Sequence, residues 1–194
     1  GIKMVLSGEG ADEIFGGYGR IFRSTDDYLN QQTLKSDIRT STQFKNKYGK
    51  EDFQSDVEHF IYNYSYTKPA LKKGLLSKNT NWHAIETALS QKFIDSFNQV
   101  PDASYQTKMM YTFETMHLQG LLARVDTTTM ATSVEARVPF VDHRLVEFAF
   151  SIPNKYKLKW NSQNDQDLAK AKLSDQISEI HDTPKYILKK MGEK

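Results

Sequence analysis

The chain reads as mostly α with one N-terminal strand. Ile2-Lys3-Met4-Val5-Leu6 is a short β-prone run that stops in Ser7-Gly8-Glu9-Gly10, a turn signal. From Asp12 onward the apolar residues recur at helical spacing, and no later segment reads convincingly as a strand. A lone strand cannot be stable unpaired, so either helices cover it or its partner strands lie before Gly1.

Each helix has its own signals. Trp82, Ile85, Leu89, Phe93 and Phe97 recur at three and four, with Asn81 placed as an N-cap and Pro101 as a stop, which predicts one buried stripe. Met109, Met110, Phe113, Met116, Leu118, Leu121 and Leu122 predict a second long helix from Ser104 to about Ala123, apolar enough to be central to the core. Asp142 is placed to cap a helix carrying Leu145, Val146, Phe148 and Ala149, which must end before Pro153 because proline disfavours helix in the residue preceding it. Pro184 suits the first turn of a terminal helix through Tyr186, Ile187 and Leu188. Residues 24–100 hold no chemical cluster and read as helical scaffold; no internal repeat is present.

Composition narrows the functions. A chain of 194 residues suits one domain. With 26 Lys+Arg against 24 Asp+Glu the charge is balanced, so nothing argues for nucleic acid, where a clustered basic face is expected. The absence of cysteine excludes disulfides, thiolate zinc sites and a cysteine nucleophile. It is consistent with a reducing, cytoplasmic setting. No apolar run reaches the roughly 20 residues that a membrane span needs. The chain starts at Gly1 and enters an apolar run at once, so it is expected to be a piece of a longer protein.

The segment Ser7-Gly8-Glu9-Gly10-Ala11-Asp12-Glu13 delivers a strand into a glycine turn and then a helix start. Such a turn lets backbone approach an anion closely, and phosphate is the natural guest. Three acids, Glu9, Asp12 and Glu13, would repel bare phosphate, so a divalent cation such as Mg²⁺ between carboxylate and phosphate is the consistent reading. The bland alternative is an acidic first turn of an ordinary helix. In Leu121–Arg144, charged and apolar residues interleave, which predicts a buried ion-pair network holding a loop, with Glu135 and Arg137 structural. Arg124 either clamps a phosphate or carboxylate or pairs with Asp126. Lys185 falls where a terminal helix begins, the wrong end for the helix dipole, so either something anionic compensates it or it is merely solvated.

Together these segments resemble the synthetase domain of the glutamine-dependent asparagine synthetase family. Ser7 to Glu13 with Phe15-Gly16-Gly17-Tyr18 is similar to its S-G-E-G-(A/S)-D-E-x-F-G-G-Y signature without a mismatch. Arg124-Val125-Asp126, Met130 and Val134 to Asp142 resemble a second signature, and Lys185-Tyr186-Ile187-Leu188-Lys189 is similar to its K-x-x-L-R element, with Lys189 in place of arginine. The resemblance implies the carboxyl portion, residues 1–194, of an α/β nucleotide-binding domain of the PP-loop ATPase, adenine nucleotide α-hydrolase-like kind. It implies ATP and Mg²⁺, adenylation of the aspartate side chain, and displacement of AMP by ammonia derived from glutamine in a glutaminase domain. By the same resemblance Asp12 is the Mg²⁺ ligand, Glu9 takes a proton from the attacking amine, and Lys185 contacts phosphate with Ser7, Gly8 and Gly10. Glu13, Arg124, Asp126, Glu135 and Arg137 are left to supporting roles.

Two other readings stay open, a relative that amidates another carboxylate such as a sugar acid and a non-catalytic scaffold that keeps the motifs for folding. Glu9 speaks against β-lactam-forming relatives, which carry tyrosine there. The family's S-G-G-x-D-S loop and its later R-x-K element do not occur in these residues. The isolated chain is therefore expected not to form acyl-adenylate, and ATP–pyrophosphate exchange with aspartate is the measurement that checks it.

Overall fold

The structure is a computed structural model that describes residues 1–67, 69–75, 77 and 80–193. A strand, β1 (Met4–Leu6), leads into α1 (Ala11–Phe15), α2 (Gly19–Leu29), α3 (Gln31–Lys35), α4 (Ile38–Tyr48), α5 (Asp56–Tyr64) and α6 (Pro69–Leu75). Then come α7 (Trp82–Asn98), α8 (Tyr105–Thr112), a π-helical turn Phe113–His117, α9 (Leu118–Met130) and β2 (Glu135–Arg137). The chain closes with α10 (His143–Ser151), β3 (Lys159–Trp160), α11 (Gln163–Ala169), α12 (Ser174–Ile177), β4 (Asp182–Thr183) and α13 (Tyr186–Gly192).

The mostly helical expectation holds, but the single strand does not. β1 pairs in parallel with β2 in the register Met4↔Glu135, Val5↔Ala136 and Leu6↔Arg137, and β3 pairs antiparallel with β4. Glu-Ala-Arg has no β-prone run, so only the return of the chain after α9 reveals that strand. Parallel sheets are ordinarily covered on both faces. Here Met4 and Leu6 are exposed, at 52% and 72%.

Phe22, Phe60, Phe93, Phe97, Met109, Met110 and Phe113 pack into the main core, where α2, α5, α7 and α8 meet. The predicted helix from Ser104 exists, capped by the Ser104 hydroxyl, but it continues through the π-helical turn to Met130 rather than ending near Ala123. The stripe on α7 is buried only over its last turns. Phe93 and Phe97 are inside, packed in the main core, whereas Ile85 and Leu89 are exposed. Asp142 caps α10 as expected, accepting the Arg144 backbone N–H at 2.9 Å, and the helix stops before Pro153.

A satellite cluster of Leu34, Phe44, Tyr48, Phe53 and Leu173 surrounds a polar knot. Asp27, fully buried, accepts from Tyr48 Oη at 2.6 Å, Lys47 Nζ at 2.9 Å and both the backbone N–H and hydroxyl of Ser174, at 2.8 and 2.9 Å. Burial raises the Asp27 pKa and the Lys47 charge opposes that rise. Removing one partner of a buried pair strands the other, so Asp27→Ala should cost about 3–5 kcal/mol. Urea unfolding of the variant against the parent chain measures this; a loss below about 1 kcal/mol, the usual worth of a surface pair, would show that the knot is not what fixes α12 to α2.

Candidate functional site

The first signature folds as its residue types require. The Ser7 N–H donates to the Arg137 carbonyl at 2.8 Å and ends the sheet, and the chain turns through Gly8 and Glu9 to Gly10. Gly10 has φ +94°, and a Cβ there would press on Val141 and Phe140, so this position demands glycine. A Cβ on Gly17 would collide with the Asp12 carboxylate, and the Gly17 N–H donates to the Asp12 carbonyl at 2.8 Å. The second signature therefore packs against the turn, and the last glycine of the first clears space for Asp12.

Lys185 supplies the cation. It is the N-cap of α13 rather than part of its first turn, with φ +50°, and its Nζ lies 2.7 Å from Asp12 Oδ1. The anion that compensates a lysine at this helix end is thus Asp12. Both side chains are about one-third exposed (35% for Asp12, 33% for Lys185), so the pair is open to a ligand rather than sealed. It stands on a cleft of about 540 Å³ that is also lined by Gly17, Asp182, Thr183 and Lys189. Asp182 is buried and committed to Arg23, whose Nε donates to it at 2.6 Å.

Glu9 is half-buried on the turn and does not line that cleft. Ser7 is half-buried, Gly8 is exposed, and a Cβ on Gly8 would meet nothing. Glu13 is buried and accepts the Tyr18 phenol at 2.8 Å. Burial, that hydrogen bond and the charges of Glu13, Asp12 and Glu9 together hold the Tyr18 hydroxyl well above its ordinary pKa.

The second signature departs from expectation. Arg124 and Asp126 are exposed, and among the described residues neither makes an ion pair. Glu135 and Arg137 do pair, at 2.9 Å, but at 55% and 62% exposure. The buried network predicted for this stretch is replaced by open surface pairs, this one on a two-stranded sheet that leaves its side chains uncovered and a second between Arg144 and Asp142 at 2.8 Å. What the segment contributes is backbone, β2 beside the turn, and the apolar side chains behind it.

Glu114 escaped the sequence reading. It sits on the π-helical turn with Oε2 buried and unpartnered, and burial followed by the Glu13 charge raises its pKa to about 7. Its one signal was an acid inside the apolar stretch Met109–Met116. Single π-turns and strongly shifted carboxylates both concentrate at functional sites.

The model of the family described as asparagine synthase matches residues 1–194. The chain belongs to the asparagine synthase family. It is 32% identical over 158 residues to asparagine synthetase [glutamine-hydrolyzing] 3 of Bacillus subtilis, covering 81% of this chain and 22% of that protein. Asparagine synthetase [glutamine-hydrolyzing] 1 of the same organism is 28% identical over 169 residues, covering 81% and 26%. The protein named Amidase chyE of Penicillium rubens is 26% identical over 185 residues, covering 82% and 27%. The chain thus spans about a quarter of the length of these relatives. No solved structure matches. Among the described residues no helix is long and apolar enough to cross a membrane.

The shifted acid gives this asparagine synthase-family chain a pH signature. Glu114 binds its proton more tightly folded than unfolded, so its contribution to stability is present below about 4.5 and is lost as pH rises toward about 7. Glu114→Gln should remove that component, so the variant gains stability relative to the parent chain across this interval. Urea midpoints at the two ends of the interval measure it, and parallel pH dependence in the two chains would show that Glu114 is not shifted.

Proposed function

We propose that this chain supplies the acidic turn and the lysine of an ATP-dependent synthetase of the cytoplasm that amidates a carboxylate, by family the side chain of aspartate, with ammonia released from glutamine. The observation that carries the reading is the pairing of Asp12 with Lys185, which brings the first and third signatures onto one open cleft. Nothing in an acidic helix start of the ordinary kind calls for a lysine in left-handed conformation facing it.

The residues fit a magnesium ion in the way that ion is usually held. Among the described residues no group of three or more His, Cys, Asp or Glu forms a closed cage. Mg²⁺ sites commonly use one or two carboxylates and complete themselves with phosphate oxygens and water. Asp12 would be the protein ligand. When bound, the ion would neutralise charge on the phosphates.

The remaining roles belong to the chain's own groups. Lys185 Nζ, now on Asp12, would turn to the departing pyrophosphate as an acceptor carboxylate oxygen bonds to the α-phosphorus. Ser7, Gly8 and Gly10 form the turn that lets phosphate oxygens come close, and the open face of Gly8 leaves room for them. Glu9 would take the proton from the amine as its nitrogen bonds to the acyl carbon and AMP leaves. Glu13, fastened to Tyr18, keeps the turn rigid.

In the complete protein, Glu9→Gln should lower amide formation by about 10²–10⁴ while ATP–pyrophosphate exchange persists, because proton removal belongs to the second half-reaction. Lys185→Ala should depress exchange itself. Equal loss of both activities in Glu9→Gln would remove its base role, and no loss in either variant would favour a scaffold that keeps the motifs for folding.

A further inference from the structure

Pyrophosphate joins two phosphoryl groups, and the cleft beside Asp12 must hold both of them if the proposed adenylation takes place there. Its volume of about 540 Å³ leaves room for such a guest. Most of its polar groups are already engaged. Asn161 and Glu179 come from the connection inserted between β3 and β4, residues 161–181. The Thr183 hydroxyl donates to Asn161 Oδ1 at 2.9 Å, and the Asn161 amide donates to the Ile180 carbonyl at 3.3 Å. The Gly17 N–H is bound to the Asp12 carbonyl, and the Glu179 N–H donates to Asp182 Oδ1 at 2.6 Å. Among the described residues that line the cleft, the charged donors available to an anion are the ammonium groups of Lys185 and Lys189.

The fold treats the two lysines differently. Lys185 faces Asp12, whereas Lys189 stands one helical turn further on, its backbone N–H donating to the Lys185 carbonyl at 3.0 Å. Like charges at this spacing weaken a helix. The next residue, Lys190, is occupied, with Nζ 2.6 Å from Glu193 and 6.0 Å from the Tyr186 ring centroid. Lys189 is exposed and, among the described residues, makes no ion pair. The acids of the cleft do not claim it: Asp12 is met by Lys185, Asp182 is held by Arg23, and Glu179 is exposed and unpaired among the described residues. A cation in the last turn of α13 also suits the helix dipole, but that role calls for no cleft.

We propose that Lys189 is a leaving-group contact that binds the far phosphoryl group of pyrophosphate, while Lys185 holds the near one beside Asp12. The inference rests on the amidation reading above and deepens it. As the acceptor oxygen bonds to the α-phosphorus, the bond from that phosphorus to the bridging oxygen breaks, and its electron pair stays with pyrophosphate. The charge that develops in this step lies next to Lys185. The far phosphoryl group is charged before and after the step, so Lys189 binds it equally in ATP and in the departing pyrophosphate. Uniform binding of this kind sets KM and leaves kcat unchanged. Ammonium groups on neighbouring turns can grasp two joined phosphoryl groups together, and each acts as a compact point charge rather than as the planar fork of an arginine.

The test uses the complete protein with magnesium, ATP, aspartate and inorganic pyrophosphate. Lys189→Ala should raise the KM for pyrophosphate in ATP–pyrophosphate exchange about tenfold, the worth of one good contact, with kcat and the KM for aspartate nearly unchanged. Lys189→Arg keeps the charge and should return the pyrophosphate KM to within about twofold of the parent value. An unchanged pyrophosphate KM in Lys189→Ala would overturn the proposal and leave the amidation reading standing, and so would a loss confined to kcat. A lowered urea midpoint with unchanged KM would overturn it too, leaving Lys189 to the helix dipole. Absence of exchange in the parent protein would instead sink the amidation reading. Calorimetric titration with magnesium pyrophosphate then decides the contact by itself: binding about tenfold weaker in Lys189→Ala upholds it, and equal binding overturns it.

Discussion

The site depends on the burial of two side chains, Ile14 and Phe15, which are 0% and 3% exposed. They face Ala149, Phe140, Leu145, Val146, Ile187 and Leu188, so residues from all three signatures share one apolar cluster. Phe15 meets Phe140 edge to face at 6.3 Å between centroids. Burying each of the two large side chains is worth about 1.5–3 kcal/mol. The Asp12–Lys185 pair, a third open to solvent, is worth no more than about 1 kcal/mol. Apolar packing therefore brings the acid and the lysine together, and their attraction only refines the contact. With that ordering, the ion pair can open without loosening the fold.

Lys185 also shows where strain is tolerated. A non-glycine residue with φ +50° costs on the order of 1–3 kcal/mol, and such positions persist when their surroundings over-determine them. Here Pro184 is buried on one side, and on the other the Tyr186 N–H donates to the Lys157 carbonyl at 2.9 Å. The left-handed kink turns the lysine back toward Asp12 instead of along the helix, so the conformational cost is coupled to the placement of charge.

The legibility of the sequence followed the range of the forces involved. Local signals were readable: the caps Asn81 and Asp142, the proline stops, and the glycines of the turn report interactions within a few residues. The first and third signatures could be assigned to one site because the residue types are complementary and the family pattern is distinctive. The strand at Glu135–Arg137 could not be read, since its pairing partner is far upstream and its own composition is neutral about β structure. For the same reason exposed Glu135 and Arg137 were misplaced in a buried network. Glu114 was hidden by its helix, because its raised pKa comes first from burial in the folded core and then from the Glu13 charge on another element.

Helix α2 links the first and third signatures through charge as well as through packing. Arg23 and Asp27 lie one turn apart on the same helix, immediately after the first signature, and both are buried. Arg23 grips Asp182, three residues before Lys185, and Asp27 grips Ser174 on the inserted connection. Buried charges of this kind add little net stability beyond what an apolar substitute would give, yet they permit one arrangement only, because any displaced partner is left without compensation. A hydrophobic contact between α2 and the β3–β4 pair would allow the pair to slide, and sliding would carry Lys185 away from Asp12. The paired charges fix the register of the hairpin against the helix that follows the acidic turn, so the distance between acid and lysine is set from both ends of the same scaffold.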